Sequence, residues 1–576
     1  MEVGENRKAH RAPDGTVRSA RIAAGATRTC AAPEVPRDAS PERTGPTMDS
    51  GQRTRNTLGE GRRAWLKAGL PLASAVCAAQ SLSACRSAGT LAGGDDPFTL
   101  GVASGFPSPD GVVLWTRLAP DPSTPDGGLG PRAVDVDWIV AEDERLRTVV
   151  AKGRVRTGAP DAHAVHVEVR GLRPARRYWY RFRTGAHESP LGRTQSLPAP
   201  ASMPSRLRLA IASCQQYEHG YYSAYRHIVA DEPDLLVHLG DYIYEESWGR
   251  DPVRHHGAGE AMTLADYRAR HMLYKRDPDL QAAHAAMPWA LTWDDHEVSN
   301  DYANEVAAKG MGPKAFLARR AAAYRAWYEH MPAPSRMKPR GAALDLYGGF
   351  SIGRLATIDL LDARQYRSPH ACPPAGRAAG ANLVDPTACP QLGDAARTML
   401  GAPQERWLDA RLRDRDTRWN LIGQQTLFAP NARPASGGRR LRHTDGWDGY
   451  PAARERLLGA IERHRVPNPV VLGGDVHAFY AARLDASDGR PLASEFVGTS
   501  ITSQSGPRAH FDRIRAANPH ILHADGSQRG YLRITLDAKR LRADMIGLDS
   551  ARRRESVASV QRAFVVESGR AGPVDA

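Results

Sequence analysis

Residues 234–246, DLLVHLGDYIYEE, decide the fold that we predict for this 576-residue chain. The first half is a short apolar run after Pro233, which is typical of a buried strand. The run ends at Gly240 and Asp241, and a second oxygen donor, Tyr244, follows three positions after the aspartate. Because ligands of open α/β sheets bind at the carboxyl ends of the strands, this ending indicates a binding site.

Three further apolar runs end in side chains that can bind metal ions. Residues 207–212 lead into Ser213-Cys214, residues 288–293 into Asp294-Asp295-His296-Glu297, and residues 469–472 into Gly473-Gly474-Asp475-Val476-His477. One such ending is common in proteins. Four of them on strand-like runs predict a metal centre along one edge of a sheet.

The thiol and the phenol among these donors indicate one kind of ion. Cys214 ends a strand-like run and is followed by two glutamines, and Tyr244 follows a tight glycine turn. A thiolate and a phenolate together favour a trivalent ion such as Fe³⁺ over Zn²⁺ or Mg²⁺. The structural alternatives are a buried, inert cysteine and a capped turn.

The carboxylates indicate a second kind of ion. Asp294 and Asp295, with Asn300 close behind, place hard oxygen donors densely after a strand, which suits Ca²⁺ or another divalent ion. Asp475 and His477 are two positions apart, so on an extended backbone both donors lie on one face. A solvated acidic turn is the alternative for the aspartate pair.

Composition limits the classes of function. Apolar residues make up 41% and charged residues 25% of the chain, an ordinary globular balance. The net charge of +14 comes from arginines interspersed with acidic residues, without a Lys/Arg block or an aromatic-basic stripe. This pattern predicts no nucleic-acid partner and fits attraction to phosphorylated small molecules or an acidic envelope surface. An ordinary solvated surface explains it equally well.

The first 84 residues are predicted to be a leader. Residues 1–47 lack an apolar period, so we expect them to be disordered, or untranslated if Met48 is the initiator. Residues 61–67, GRRAWLK, precede an apolar stretch over 68–84, so residues 48–84 resemble a twin-arginine export signal. Residues 82–85, LSAC, match a lipoprotein processing box in which Cys85 becomes lipidated. Ordinary cleavage without a lipid is the alternative.

Export by this route predicts a location and a partner. The twin-arginine machinery carries folded proteins, which suits a protein that receives its metals before it leaves the cytoplasm. We therefore expect a periplasmic, secreted or envelope-anchored protein. Cys372 and Cys389 both flank prolines and can pair in an oxidising compartment, which would leave Cys214 as the free thiol of the body.

Two regions with different sequence patterns follow the leader. Over 97–200, short alternating runs are separated by Gly, Pro and Asp turns at the spacing of a β sandwich, and a linker follows at 197–204. Over 205–576, strands alternate with helices, which predicts a layered α/β domain. Helices are predicted over 221–230, 264–286, 314–330, 404–413 and 452–465. Strands are predicted over 351–361, 419–424 and 470–472, and strand-like runs return over 529–566 to close the sheet or cover its site.

Several of these motifs, in this order, resemble the PhoD family of alkaline phosphatases and phosphodiesterases, a branch of the calcineurin-like metallophosphoesterases. The resemblance covers nearly everything after the leader. It rests on FTLGVASGFPSPDGVVLWTRL at 98–118, SCQ at 213–215, GDYIYE at 240–245, WDDHE at 293–297 and GDVH at 474–477. Further matches lie at 361–367, 445–450 and 495–500.

The resemblance implies a fold and a set of ligands. The fold is an αββα-sandwich metallophosphoesterase domain over 205–576, preceded by an immunoglobulin-like β-sandwich domain over 97–200. The cofactors are Fe³⁺ and Ca²⁺. Iron is expected at Cys214, Asp241, Tyr244 and His477, and calcium mainly at Asp241, Asp295 and Asp475, with Asp294 beside them. Asp295 stands where the wider superfamily has an asparagine, and Cys214 stands where it has a histidine. These two replacements argue against a generic dimanganese or dizinc site.

The resemblance also implies an activity, an exported alkaline phosphatase that hydrolyses phosphomonoesters, and phosphodiesters, by attack of a metal-activated water or hydroxide. His296 is expected to protonate the leaving oxygen or to orient the phosphate. Arg364 is a candidate phosphate clamp, with an ordinary surface ion pair as the alternative. Asn300 is a candidate further ligand or phosphate contact. The competing functions are a phosphodiesterase acting on phospholipid or polymer headgroups and a binding module without activity.

Overall fold

The computed structural model describes residues 94–377 and 379–576. The predicted leader, with Met48, the Arg62-Arg63 pair and Cys85, lies outside these ranges. Within them, no helix has both the length and the apolar character needed to cross a membrane.

The described residues form seven α-helices and 25 strands. The helices are α1 Ser223–Ala230, α2 Leu264–Lys275, α3 Pro278–Ala286, α4 Pro313–His330, α5 Gly401–Arg413, α6 Pro451–Arg463 and α7 Arg508–Ala517. The strands are β1 Val102–Ser108, β2 Gly111–Arg117, β3 Val134–Ala141, β4 Val149–Thr157, β5 Ala164–Arg170, β6 Arg177–Thr184, β7 His187–Glu188, β8 Gly192–Gln195, β9 Leu207–Ala212, β10 Leu235–His238, β11 Pro288–Leu291, β12 Gly348–Ile352, β13 Ala356–Leu360, β14 Leu383–Val384, β15 Trp419–Gly423, β16 Arg433–Pro434, β17 Arg440–His443, β18 Pro469–Gly473, β19 Phe479–Asp485, β20 Pro491–Val497, β21 Ile521–Asp525, β22 Gly530–Leu536, β23 Arg540–Leu548, β24 Ala558–Glu567 and β25 Val574–Asp575.

Two large mixed sheets organise the molecule. The ten-stranded sheet has the order β25-β24-β23-β22-β9-β10-β11-β1-β2-β5, and the seven-stranded sheet has the order β12-β13-β15-β18-β20-β19-β21. Strands β9, β10 and β11 are parallel, as are β13, β15, β18 and β20. Parallel strands end at a common edge, so the segments that follow them lie side by side in each sheet.

The two sheets pack face to face between layers of helices. Leu209 and Val237 of the ten-stranded sheet share one apolar core with Leu421 and Leu472 of the seven-stranded sheet. A second core joins α1 to α4 to the outer face of the first sheet, and a third joins α5 to α7 to the outer face of the second. The order of layers is therefore helices, sheet, sheet and helices. The C-terminal strands complete the ten-stranded sheet, because β22 pairs with β9.

The β-rich segment over 97–200 shares a sheet with the rest of the chain. The sequence predicts a β sandwich over 97–200, and in the structure β1 pairs in parallel with β11, while β2 and β5 continue the ten-stranded sheet. A separate sheet, β4-β3-β6-β7 with β8 paired to β6, packs on these strands through a core that includes Leu114, Val136 and Tyr180. The pairing with β1 covers what would otherwise be an open edge of β11.

Two predicted elements are wrong in extent. Residues 264–286 form α2 and α3 rather than one helix, because Pro278 lacks the N–H that a continuous helix needs. The carboxylate of Asp277 caps α3 by accepting hydrogen bonds from the N–H groups of Asp279 and Leu280. Residues 351–361 belong to a hairpin of β12 and β13, which turns at Gly353, where φ is 53°.

Two cysteines of the described residues form the pair that the sequence allows but does not decide. Cys372 and Cys389 form a disulfide with Cα atoms 6.1 Å apart. Cys214 is the free cysteine of this part of the chain, and it is buried.

Candidate metal centre

Six of the seven predicted metal donors converge, with His296, in groups where the parallel strands of the two sheets end. The ligand atoms form three groups, in each of which all atoms lie within 4.8 Å of one another: Cys214, Asp241 and His477; Asp241, Asp295 and His296; Asp294, Asp295 and Asp475. Asp241 belongs to the first two groups and Asp295 to the last two, so the three groups form one continuous centre.

Four of these donors have a strained backbone. The φ angles of Cys214, Asp241, Asp475 and His477 are 59°, 56°, 61° and 54°. Residues other than glycine seldom adopt the left-handed conformation, and where they do the surrounding structure must enforce it. Each of the four follows the end of β9, β10 or β18, so the strain is concentrated at the turns that build the centre.

Tyr244, the seventh donor, reaches the same place through its hydroxyl group. The hydroxyl donates a hydrogen bond to Asp241 Oδ2 at 2.8 Å and lies 3.2 Å from His477 Nε2. It also accepts a hydrogen bond from Ser503 Oγ at 2.8 Å. The phenol oxygen therefore lies among the donors of the first group, as a metal ligand would.

Glu297 holds two strand ends together. Its carboxylate accepts hydrogen bonds from the backbone N–H groups of Asp241 at 3.0 Å, Tyr242 at 2.7 Å and Asp294 at 2.9 Å. The first two residues follow β10 and the third follows β11. Glu297 thus fixes the distance between two of the turns that carry metal donors.

Arg364 lies behind the carboxylates and is fully buried. Its guanidinium donates to Asp294 through Nε, to both oxygens of Asp445 through Nη1 at 2.8 and 2.9 Å, and to Asp475 through Nη2 at 3.4 Å. Asp295 Oδ1 lies 3.6 Å from Nη2. The contacts of this side chain are with carboxylates of the centre and of its support, which suits a residue that positions ligands.

His296 groups with Asp241 and Asp295 in the centre. Its Nδ1 is 2.6 Å from Glu245 Oε2, and Glu245 also accepts the backbone N–H of Asn300 at 2.6 Å. Burial opposes a charge on this imidazole, but the carboxylates of Glu245, Asp241 and Asp295 together raise the pKa of His296 well above its usual value. Asn300 is half-buried, and the hydrogen bond from its backbone N–H to Glu245 fixes its position.

The buried acidic groups of the centre favour the binding of cations. Burial and neighbouring carboxylates raise the pKa values of Asp241 and Asp294 well above the usual range. Burial raises the pKa of the Cys214 thiol, with the Asp241 carboxylate adding to the effect. Asp294 Oδ2 and Asp295 Oδ1 are buried without a hydrogen-bond partner. Unpartnered buried carboxylate oxygens are costly, and a bound metal ion would satisfy them.

Sequence patterns did not predict the supporting roles of four residues: Glu245, Glu297, Asp445 and Ser503. Three of them lie inside or beside motifs that the sequence singles out, at 240–245, 293–297 and 445–450. Their roles depend on partners far away in the chain, such as Arg364 for Asp445 and Tyr244 for Ser503. Spacing along the sequence does not reveal such partners.

Comparison with known proteins gives concordant results. Residues 209–545 match the family model of the PhoD-like phosphatase, and residues 84–198 match that of the PhoD-like phosphatase N-terminal domain. Alkaline phosphatase D of Bacillus subtilis (strain 168) is 42% identical over 528 residues, covering 89% of this chain and 87% of that protein. A solved structure described as the structure of PhoD matches with a TM-score of 0.79 and 43% identity, over 84% of this chain and 93% of that one.

Proposed function

The chain belongs to the PhoD-like phosphatase family, and from this premise we propose that it is an exported, metal-dependent alkaline phosphatase. Its substrates would be phosphomonoesters, with phosphodiesters hydrolysed as well. The observation that carries the proposal is the convergence of Cys214, Asp241 and His477 with Asp294, Asp295 and Asp475 into one buried centre.

On the basis of the same family membership, we propose the architecture of the two domains. The four layers over 205–576 would correspond to the αββα sandwich of metallophosphoesterases, supported by the shared core between the two sheets. Residues 97–200 would correspond to an immunoglobulin-like domain, one sheet of which continues into the ten-stranded sheet.

The donor chemistry supports two classes of ion. Cys214, Asp241, Tyr244 and His477 offer sulfur, carboxylate, phenol and imidazole donors, which suit Fe³⁺. Asp241, Asp294, Asp295 and Asp475 offer only oxygens, which suit Ca²⁺. Bound there, the ions would supply positive charge for the phosphoryl oxygens and lower the pKa of a water molecule that attacks phosphorus.

His296 is the proposed general acid of the reaction. Glu245 orients the ring through Nδ1 and raises the pKa of His296, and Asp241 and Asp295 add to this effect in the metal-free protein. A protonated imidazole at the edge of the centre can donate its proton to the leaving oxygen of the ester. Asn300, whose backbone N–H donates to Glu245, is the proposed contact for a phosphoryl oxygen. We propose Arg364 as a positioning residue, because carboxylates surround its guanidinium.

The test combines substrates with metal analysis. Purified protein is assayed with nitrophenyl phosphate, bis-nitrophenyl phosphate and a phospholipid, and its iron and calcium contents are measured. The monoester is expected to be hydrolysed fastest and a chelator to abolish activity. Cys214→Ala is expected to lose iron and activity while circular dichroism shows an intact fold. Absence of hydrolysis of all three esters after reconstitution with both ions would overturn the proposal.

We further propose export by the twin-arginine route and anchoring through a lipid on Cys85. The support is the sequence GRRAWLK at 61–67 and the Cys372–Cys389 disulfide, which is typical of oxidising compartments. Replacing Arg62 and Arg63 with lysine is expected to block export, whereas the same change at Arg53 and Arg55 is expected to leave it unaffected. Normal secretion of the first variant would refute the assignment of residues 48–84 as a twin-arginine signal.

A further inference from the structure

Asp445 lies directly behind the candidate metal centre and is buried there. Its carboxylate accepts two hydrogen bonds from Arg364 Nη1, at 2.8 and 2.9 Å, and one from Arg367 Nη2 at 2.9 Å. His370 Nε2 lies 3.1 Å from Oδ1. These basic partners occupy the carboxylate, so Asp445 has a different environment from the metal-facing aspartates.

One guanidinium connects Asp445 to those aspartates. Arg364 gives Nη1 to Asp445, while its Nε and Nη2 donate to Asp294 and Asp475. Because the guanidinium is a rigid planar group with donors in a fixed fork, its anchoring on one edge fixes the positions of the donors on the other. The orientation of the metal-facing carboxylates is therefore coupled to Asp445.

The centre is sensitive to this coupling, since its free carboxylate oxygens must stay available to a cation. Asp294 Oδ2 and Asp295 Oδ1 are buried without a hydrogen-bond partner, Asp295 Oδ1 lies 3.6 Å from Arg364 Nη2, and Arg364 Nε donates to the other Asp294 oxygen. Without the charge of Asp445, only Asp294, Asp295 and Asp475 would neutralise the positive charge of Arg364. It would then pair more closely with those three aspartates and compete with the metal ion for them.

We propose that Asp445 is a positioning residue that sets the affinity of the all-carboxylate part of the centre, formed by Asp294, Asp295 and Asp475. This inference rests on the proposed metal-dependent function. It predicts selectivity between the two ions, because the hydrogen bonds and ion pairs of Arg364 within the described residues do not include Cys214, Tyr244 or His477. The ion held by those three donors should be insensitive to Asp445.

Asp445→Asn is the test, since it keeps the shape of the side chain and removes its charge. The matched control is Asp359→Asn. Asp359 is equally buried and pairs with Arg411, at 2.6 Å, and with Arg415, but contacts none of the candidate ligands. Calcium is titrated into each chelated and iron-reconstituted protein by calorimetry, and iron is measured by elemental analysis and by its visible absorption.

Asp445→Asn is expected to bind Ca²⁺ about 10–100-fold more weakly, the usual effect of removing a group that orients metal ligands. Its iron content should equal that of the wild type, and excess Ca²⁺ should restore activity. Asp445→Glu, which keeps the charge, should recover most of the affinity. Asp359→Asn should bind both ions like the wild type. If Asp445→Asn does not fold, Arg367→Lys, which weakens the support of Asp445 from its far side, should give a smaller change of the same kind.

Two results would overturn the inference. One is an unchanged Ca²⁺ affinity in a folded Asp445→Asn protein. The other is a parallel loss of both ions that follows thermal stability and recurs in Asp359→Asn, which would indicate a general role in folding. A wild-type protein that binds neither ion and hydrolyses no ester would instead refute the proposed function itself, so the two failures are distinguishable.

Discussion

Tyr244 shows at the scale of one residue how a side chain is prepared for a metal. Burial raises the pKa of its hydroxyl group well above the usual value, and the neighbouring Asp241 carboxylate raises it further. In the absence of a cation, the phenol therefore stays protonated and donates to Asp241. A trivalent ion at this position would replace the proton, since metal ligands bind in their deprotonated form.

Replacement of Tyr244 by phenylalanine tests this interpretation. If the phenolate is an iron ligand, Tyr244→Phe is expected to weaken or abolish the visible charge-transfer band and to lower iron occupancy. Tyr242→Phe is the control, because Tyr242 is equally buried but its hydroxyl lies 2.8 Å from His284 Nε2, away from the donors. A full-strength, unshifted band in Tyr244→Phe would exclude the phenolate as a ligand.

The turn after β10 shows at the scale of an element why the sequence contains a glycine before the ligand. Gly240 has a φ of 109°, and a Cβ at this position would lie 2.5 Å from both Cβ and N of Asp294. The turns after β10 and β11 thus approach each other more closely than any side chain at 240 would allow. This close approach brings Asp241 beside Asp294 and Asp295.

Gly240→Ala should therefore damage both stability and metal binding. The positive φ and the steric clash together are expected to cost about 3–4 kcal/mol of unfolding free energy. In Gly257→Ala, the φ of 70° imposes strain but the new methyl group meets no atom within 4 Å, so the cost should be about 1–2 kcal/mol. Denaturant unfolding and metal analysis measure both effects, and equal losses in the two variants would contradict the argument.

At the scale of the whole molecule, sequence reasoning succeeded where local patterns determine the structure. Cys214, Asp241 and His477 each follow a short apolar run, and the runs become strands β9 and β10 of the ten-stranded sheet and β18 of the seven-stranded sheet. The strand-end positions of the donors were therefore predictable, but the expected single sheet edge is wrong, because two sheets contribute donors to the centre. The environment of Arg364 could not be predicted, because its carboxylate partners lie 70, 81 and 111 positions away. The pairing of β1 with β11 is likewise non-local, since it joins strands about 180 residues apart.

The charge of the whole centre leads to a prediction about pH. In the metal-free protein the pKa values of Asp241 and Asp294 are raised, so the folded state keeps protons that the unfolded state has already released above about pH 5. The stability of the metal-free protein should therefore fall as pH rises through the folded pKa values. Cations take the place of those protons, so the stabilisation that they provide should grow with pH.

Buried neutral histidines act in the opposite direction and must be separated from this effect. Burial lowers the pKa of His238 to about 3, so its contribution to stability is present above about pH 6.5 and is lost as pH falls. Because His238 lies outside the donor groups, its contribution should be similar with and without metal.

The difference between the melting temperatures of metal-loaded and chelated protein therefore measures the contribution of the metal centre alone. We expect this difference to be larger at about pH 8.5 than at about pH 6, since ligand protons compete with cations less at the higher pH. A difference that is constant, or larger at the lower pH, would mean that the carboxylates do not exchange protons for cations.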